Sequence, residues 1–267
     1  MMNLIEFSHY DFIQNAFIAG TFIALLAGVV GYFVVLQRLS FTSHALGHIG
    51  FAGAAGASLL GLSWLTGQLW FTLIAAMLMV FFEPRLQKND AAIGIILAFS
   101  LGLGSLFLYF TNHYAGNMNQ ILFGDLFSVG LSGVWQIAGL SVACLIVLGI
   151  MMRPLWFSAL LPELAGARGL PVRLLQYIFF AVLAIAMTLI SQAVGILLIF
   201  TLLVGPPAIA MQCSQRFWPS ILLSIGLNLM VIYAALIISI ATNWPLSFWI
   251  SALVFVAYGV MQVLRKL

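Results

Sequence analysis

Long apolar runs separated by short polar breaks dominate the chain. Few runs alternate in the period of two that marks a half-buried strand, and most are long enough for a membrane helix, about 20 residues. Nine spans are predicted: 15–36, 48–65, 68–83, 92–110, 132–152, 174–191, 193–212, 219–241 and 246–264. The second is the least apolar and carries Gly50, Gly53, Gly56 and Gly61. Such spacing suits a tilted or partly re-entrant segment, or one whose backbone approaches its neighbours closely. The prediction is an all-α polytopic membrane protein in which residues 1–267 form one transmembrane domain.

Charge fixes an orientation for this map. Arg38, Arg85, Lys88, Arg153, Arg168, Arg173, Arg216, Arg265 and Lys266 are the nine basic residues. All of them fall at span ends on one side if the chain crosses nine times. The positive-inside rule then puts the N-terminus outside and the C-terminus in the cytoplasm. A second span that returned to its starting side would leave Arg85 and Lys88 outside.

Composition agrees: 64% of the 267 residues are hydrophobic and 6% charged, against roughly 25% charged in soluble domains. A soluble globular domain and a disordered chain are both excluded. Nine scattered basic residues, with no cluster of four, give no basis for nucleic-acid binding. Residues 1–15 lack the basic start of a cleavable signal peptide. Cys144 and Cys213 have no metal-ligand spacing and read as small core residues.

Most prolines lie at span ends or in connections, where a missing N–H costs least. Pro206 and Pro207, after Gly205, instead interrupt the seventh span. Such a break frees backbone carbonyls, either as a packing kink or as part of a pathway. Two connections are long. The one at 111–131 is expected outside and holds Asp125, read as a helix cap. The inner one, 153–173, holds a short helix starting at Pro162, with Glu163 in its first turn and Gly169 near its end. That helix is either an interfacial segment or a docking element for a soluble partner.

Candidate chemistry is sparse. His44 and His48 are four apart and share a helix face at the start of the second span. The pair suits a metal ion or a hydrated helix entrance, without the Glu of a zinc protease motif. His9 and His113 lie outside the spans, and Gln192 is one of few polar groups near the outer span ends. No phosphate-binding GxxxxGK[ST] loop exists, and carboxylates are almost absent from the spans. A self-energised pump commonly uses such carboxylates, so the chain draws energy from a partner or works passively. A self-contained secondary carrier, an intramembrane metalloenzyme and a structural scaffold are the rivals.

Several segments carry a resemblance. RLSFTSHALGHIGFAGAA (38–55), ILFGDLFSV (121–129), LLPELAGARGLPV (160–172) and QAVGILLIFTLLVGPPAIA (192–210) resemble the permease subunits of bacterial ATP-binding-cassette importers of zinc, manganese or iron. The likeness implies a homodimer in the bacterial cytoplasmic (inner) membrane, with a metal pathway between the two copies. It also implies a cytoplasmic ATP-binding subunit that hydrolyses ATP, so this chain is not itself an enzyme, and a periplasmic or extracellular metal-binding protein. No cofactor is held permanently, and the divalent metal is cargo. By the same likeness His48, and with it His44, lies on the pathway. Gly205, Pro206 and Pro207 shape it, and Glu163, Ala165 and Gly169 mark the ATPase-docking helix. This chain has His44 where the family has Asp, Gly47 where it has Ser and Ala52 where it has Pro. A second imidazole in place of a carboxylate favours Zn²⁺ over Mn²⁺ by ligand preference.

Overall fold

A computed structural model describes residues 10–82, 90–110 and 121–265. Among these residues the fold is helical, without strands. The main helices are α1 (Asp11–Leu36), α2 (Ser40–Leu59), α3 (Trp64–Phe81), α4 (Asp90–Tyr109), α5 (Leu131–Leu160), α6 (Pro162–Ala167), α7 (Val172–Val194), α8 (Ile199–Cys213), α9 (Phe217–Thr242) and α10 (Leu246–Leu264). Seven are long and apolar enough to cross a membrane: α1, α3, α4, α5, α7, α9 and α10. The two other expected spans are also helices. α8 has only 15 residues, and α2 is diluted by His44, His48 and several glycines.

α1 is the buried axis. It packs against α5, α7, α8 and α9, while α2 forms a second group with α3 and α4. α7 joins the groups by packing on α3. The α2–α3 hairpin closes on small residues. A Cβ on Gly53 would overlap Phe71 and the Gly67 carbonyl, and one on Gly67 would overlap Ala57 and the Gly53 carbonyl. Since lipid tails are as apolar as leucine, helices in a bilayer gain from such close backbone packing rather than from hydrophobic burial.

The structure corrects two helix boundaries. α5 does not stop before Pro154 but runs through it to Leu160. The carbonyl that Pro154 leaves without an N–H partner belongs to Ile150, a residue on an exposed face (77% exposed). α8 likewise runs unbroken through Pro206 and Pro207. The break in that region comes earlier, at Gly195 (φ +73°), between α7 and a short 3₁₀ turn at Ile196–Leu198. Cys144 is buried as expected, whereas Cys213 is exposed.

Gly195 belongs to a backbone lock. A Cβ there would collide with the Leu122 carbonyl, and one on Gly124 (φ +67°) would meet the Gly195 amide nitrogen. Asp125 N–H donates to Gln192 O at 3.2 Å. The 121–129 and 192–210 segments, distant in sequence, therefore meet backbone to backbone at one end of the bundle. Asp125 caps the 3₁₀ turn Leu126–Ser128, its Oδ1 accepting from Phe127 N–H at 3.1 Å. Arg38, Arg153, Arg168, Arg216 and Arg265 lie at the opposite end. There Tyr32 and Phe33 of α1 meet Phe217 of α9, and Gln262 of α10 donates to Gln212 of α8.

Candidate functional site

α2 begins immediately after α1. The α1 terminus is a Schellman turn: Leu39 N–H donates to Val34 O at 2.8 Å, and Arg38 N–H to Val35 O at 3.1 Å. Arg38 occupies the left-handed position, φ 59°, where glycine is usual. The chain thus reverses within three residues, and α2 carries its polar first turns into the bundle. Thr42, Ser43, Gly47 and His48 are buried.

His44 and His48 share a face as the sequence predicts. Their ring centroids are 4.6 Å apart with planes at 89°. His44 also meets the edge of Phe200 at 5.4 Å. His48 is 8% exposed, and neither imidazole has a hydrogen-bond partner among the described residues. Buried imidazole nitrogens with lone pairs free are what a metal ligand needs. Gly47 leaves the space between the rings and Met187, whose Cε would be 3.4 Å from a Cβ there. The gap among Ser43, His44, Gly47, Met187, Ile196, Ile199, Phe200 and Leu203 leaves no room for a water molecule. Among the described residues no three of His, Cys, Asp and Glu come together. One chain therefore supplies two imidazoles and, nearby, the thioether of Met187.

Beside the pair lies a polar patch that the sequence reading missed. Gln68 of α3 is 1% exposed and Ser191 of α7 fully buried. The Ser191 hydroxyl donates to Gln68 Oε1 at 3.0 Å, and it also lies 2.7 Å from Thr188 O. Gln68 Nε2 has no partner among the described residues. A Cβ on Gly50, half a turn beyond His48, would meet Thr72 Oγ1 at 2.7 Å and Gln68 Cγ at 3.0 Å. The patch therefore adjoins the imidazole helix and ties α3 to α7. The available signal was polarity inside apolar runs, but it pointed equally to Gln192 next door.

Gly205, Pro206 and Pro207 stand on packing surfaces. A Cβ on Gly205 would overlap Val254 of α10, and Pro206 and Pro207 are buried. Pro207 removes the N–H that would bond Leu203 O, and that carbonyl is pressed against Gly31 of α1. The short helix expected after Pro162 is α6, with Pro162 at its first position and Glu163 in its first turn. It ends in a second Schellman turn: Leu170 N–H donates to Ala165 O at 3.1 Å and Gly169 N–H to Gly166 O at 3.0 Å, with Gly169 at φ +74°. Ala165 is fully buried and anchors α6, while Glu163, Leu164 and Arg168 face outward. His9 and His113 lie outside the described residues.

Fold and site define a polytopic helical membrane protein with an imidazole pair, one ring of it buried, and a short helix exposed at its basic end. The chain belongs to the ABC 3 transport family, whose sequence model matches residues 9–264, and it is a multi-pass permease of the bacterial cytoplasmic membrane. It is 30% identical over 235 residues to the manganese import system permease protein ScaB of Streptococcus parasanguinis, covering 88% of this chain and 84% of that protein. It is 28% identical over 225 residues to the manganese transport system membrane protein MntC of Listeria innocua, covering 84% and 80%. Its fold matches PsaBC from Streptococcus pneumoniae, solved in complex with Fab, with a TM-score of 0.87 and 25% identity over 97% of this chain and 93% of that one.

Proposed function

We propose that this chain is the membrane-spanning permease subunit of an ATP-driven importer of a divalent transition-metal cation. The observation that carries the reading is the His44–His48 pair, His48 buried and His44 half-buried, free of hydrogen bonds among the described residues, inside a member of a transport family. Two imidazoles, with no carboxylate beside them among the described residues, make a weak, reversible station, which suits a cargo that must leave again. The relatives named above are manganese permeases, and this favours manganese as the cargo. A second reading, zinc, rests on His44, because paired imidazoles suit a borderline ion better than a hard one.

The exposed side of α6 is the docking element for a cytoplasmic ATP-binding subunit. Ala165 and the Gly169 turn hold its shape, and Glu163 and Leu164 supply contact. A metal-binding protein outside delivers the ion, and two copies of the chain flank the pathway. Gly205, Pro206 and Pro207 act on that pathway through the helix contacts they permit.

Reconstitution with the ATPase and binding protein tests the reading. Metal-loaded binding protein is expected to stimulate ATP hydrolysis and uptake, and a series of Mn²⁺, Zn²⁺ and Fe²⁺ names the cargo. His48→Ala is expected to assemble normally but to transport at least tenfold more slowly. Normal uptake by that variant would remove His48 from the pathway. Uptake driven by an ion gradient without any ATPase would make the chain a secondary carrier.

A further inference from the structure

At the basic end lies a second cavity, of about 380 Å³, lined by Arg153, Trp156, Phe157, Phe217 and Trp218. It is remote in kind from the imidazole site: four aromatic rings and one guanidinium. Trp156 meets Phe217 edge-on at 5.4 Å, and Phe217 meets Trp218 at 5.2 Å. Arg168, at the end of α6, lies over the Phe157 ring at 5.4 Å. Arg216 directly precedes Phe217 at the start of α9. Arg153, Arg168 and Arg216 are all exposed. None forms an ion pair among the described residues, and the outward-facing Glu163 is not bridged to any of them.

The depth of the cavity follows from α5. This helix has 30 residues, roughly 45 Å at 1.5 Å per residue, against a hydrocarbon core of about 30 Å. Its Trp135 (72% exposed) and its Trp156 are roughly 32 Å apart along the axis. Each therefore falls at one membrane interface, where indole rings concentrate. On α9 and the turn after it, Trp218 and Trp244 mark the same two levels, each more than half exposed. The cavity thus opens at headgroup depth on the basic side: on α9 Arg216 lies toward water ahead of Phe217 and Trp218, while on α5 Arg153 enters about one turn nearer the bilayer centre than Trp156 and Phe157.

From this arrangement we infer that the cavity is a binding site for an anionic phospholipid. The phosphate is held by Arg153 with Arg168 and Arg216 around it, Trp156 and Phe157 flank the headgroup, and the glycerol and upper acyl chain lie on Phe217 and Trp218. Three cations without carboxylate partners supply the charge complementarity. The arginine fork binds phosphate oxygens in two-point contact, which a zwitterionic headgroup weakens with its own cation. Because Phe157 also touches Arg168 of α6, an occupied site braces the root of that helix.

The test is native mass spectrometry of the full-length permease in micelles containing either dioleoyl phosphatidylglycerol or dioleoyl phosphatidylcholine. One phosphatidylglycerol per chain is expected to survive activation that strips phosphatidylcholine. Arg153→Gln and Arg168→Gln are each expected to weaken its retention about fivefold, and Arg153→Lys to recover part of the loss. An unchanged circular dichroism spectrum and elution volume identify variants that remain folded. Equal retention of the two lipids, or unchanged retention in the double glutamine variant, would overturn the proposal. So would displacement of the lipid by millimolar inorganic phosphate, which would make this a site for the free anion. A variant that keeps its phosphatidylglycerol but loses a co-purifying ATPase would assign the arginines to a protein contact instead.

Discussion

Gly31 shows how one residue sets a helix crossing. Pro207 leaves Leu203 O without its helical donor, and a bare carbonyl in a bilayer costs free energy unless something covers it. Gly31 brings the α1 backbone against that oxygen, an approach any side chain would block. Cα–H to carbonyl contact at such a crossing recovers part of the loss. Gly31→Val is expected to destabilise the folded permease by about 2 kcal/mol, in the range of over-packed sites, lowering the thermal midpoint in detergent. Gly226→Val, at a position open on all sides, is the control and is expected to leave the midpoint in place. Equal midpoints for the two variants would mean that α1 and α8 are not held by this contact. Pro206 and Pro207 were legible as unusual because the other prolines lie at predicted span ends or in connections, and Gly205 because it stands beside them. Their partners, Val254 and Gly31, were not, since nothing local in the sequence pairs α8 with α10 or α1.

Helices were legible where apolar length alone decides them. The predicted spans at 15–36, 68–83, 92–110, 174–191, 219–241 and 246–264 all overlap helices. Boundaries at proline were misjudged, because the usual penalty assumes that no other group serves the freed carbonyl. At Pro154 the carbonyl lies on an exposed face, and at Pro207 a neighbouring helix covers it. α6 was legible in full because its start and stop are local: proline at the first position and a glycine that closes the Schellman turn. Local order does not by itself make a docking surface. Glu163→Arg reverses the exposed charge without touching the buried Ala165 anchor, so α6 keeps its fold. The expected outcome is loss of ATPase co-purification with unchanged permease stability. Retained co-purification would move the docking surface away from Glu163.

At the scale of the whole molecule, the imidazoles sit at the seam between two helix groups. α2 packs with α3 and α4, whereas Met187 and Phe200 belong to the helices that pack on α1. The sequence showed the i, i+4 pair but not this seam, which arises from contacts among α2, α7 and α8. The seam is too narrow for a water molecule in this structure, and the Ser191–Gln68 hydrogen bond crosses between the groups beside it. A metal held by the pair, as proposed, would therefore select a conformation in which the seam widens, and its apparent affinity would fall by the fraction of molecules in that conformation. Cations without a net negative ligand set also lose more hydration than they regain. Both effects predict weak binding in the isolated permease. Saturating Mn²⁺ or Zn²⁺, at about a hundred times the apparent Kd, is still expected to add roughly 2.7 kcal/mol by mass action. The readout is a metal-dependent rise in the thermal midpoint that chelator reverses and His48→Ala abolishes. Ser191→Ala removes the cross-seam hydrogen bond and leaves both imidazoles in place. It is expected to reach the same stabilisation at lower metal concentration, because the open form is then more populated. A variant that needs as much metal as the native chain would show that opening does not involve this bond, and a rise surviving in His48→Ala would place the metal elsewhere.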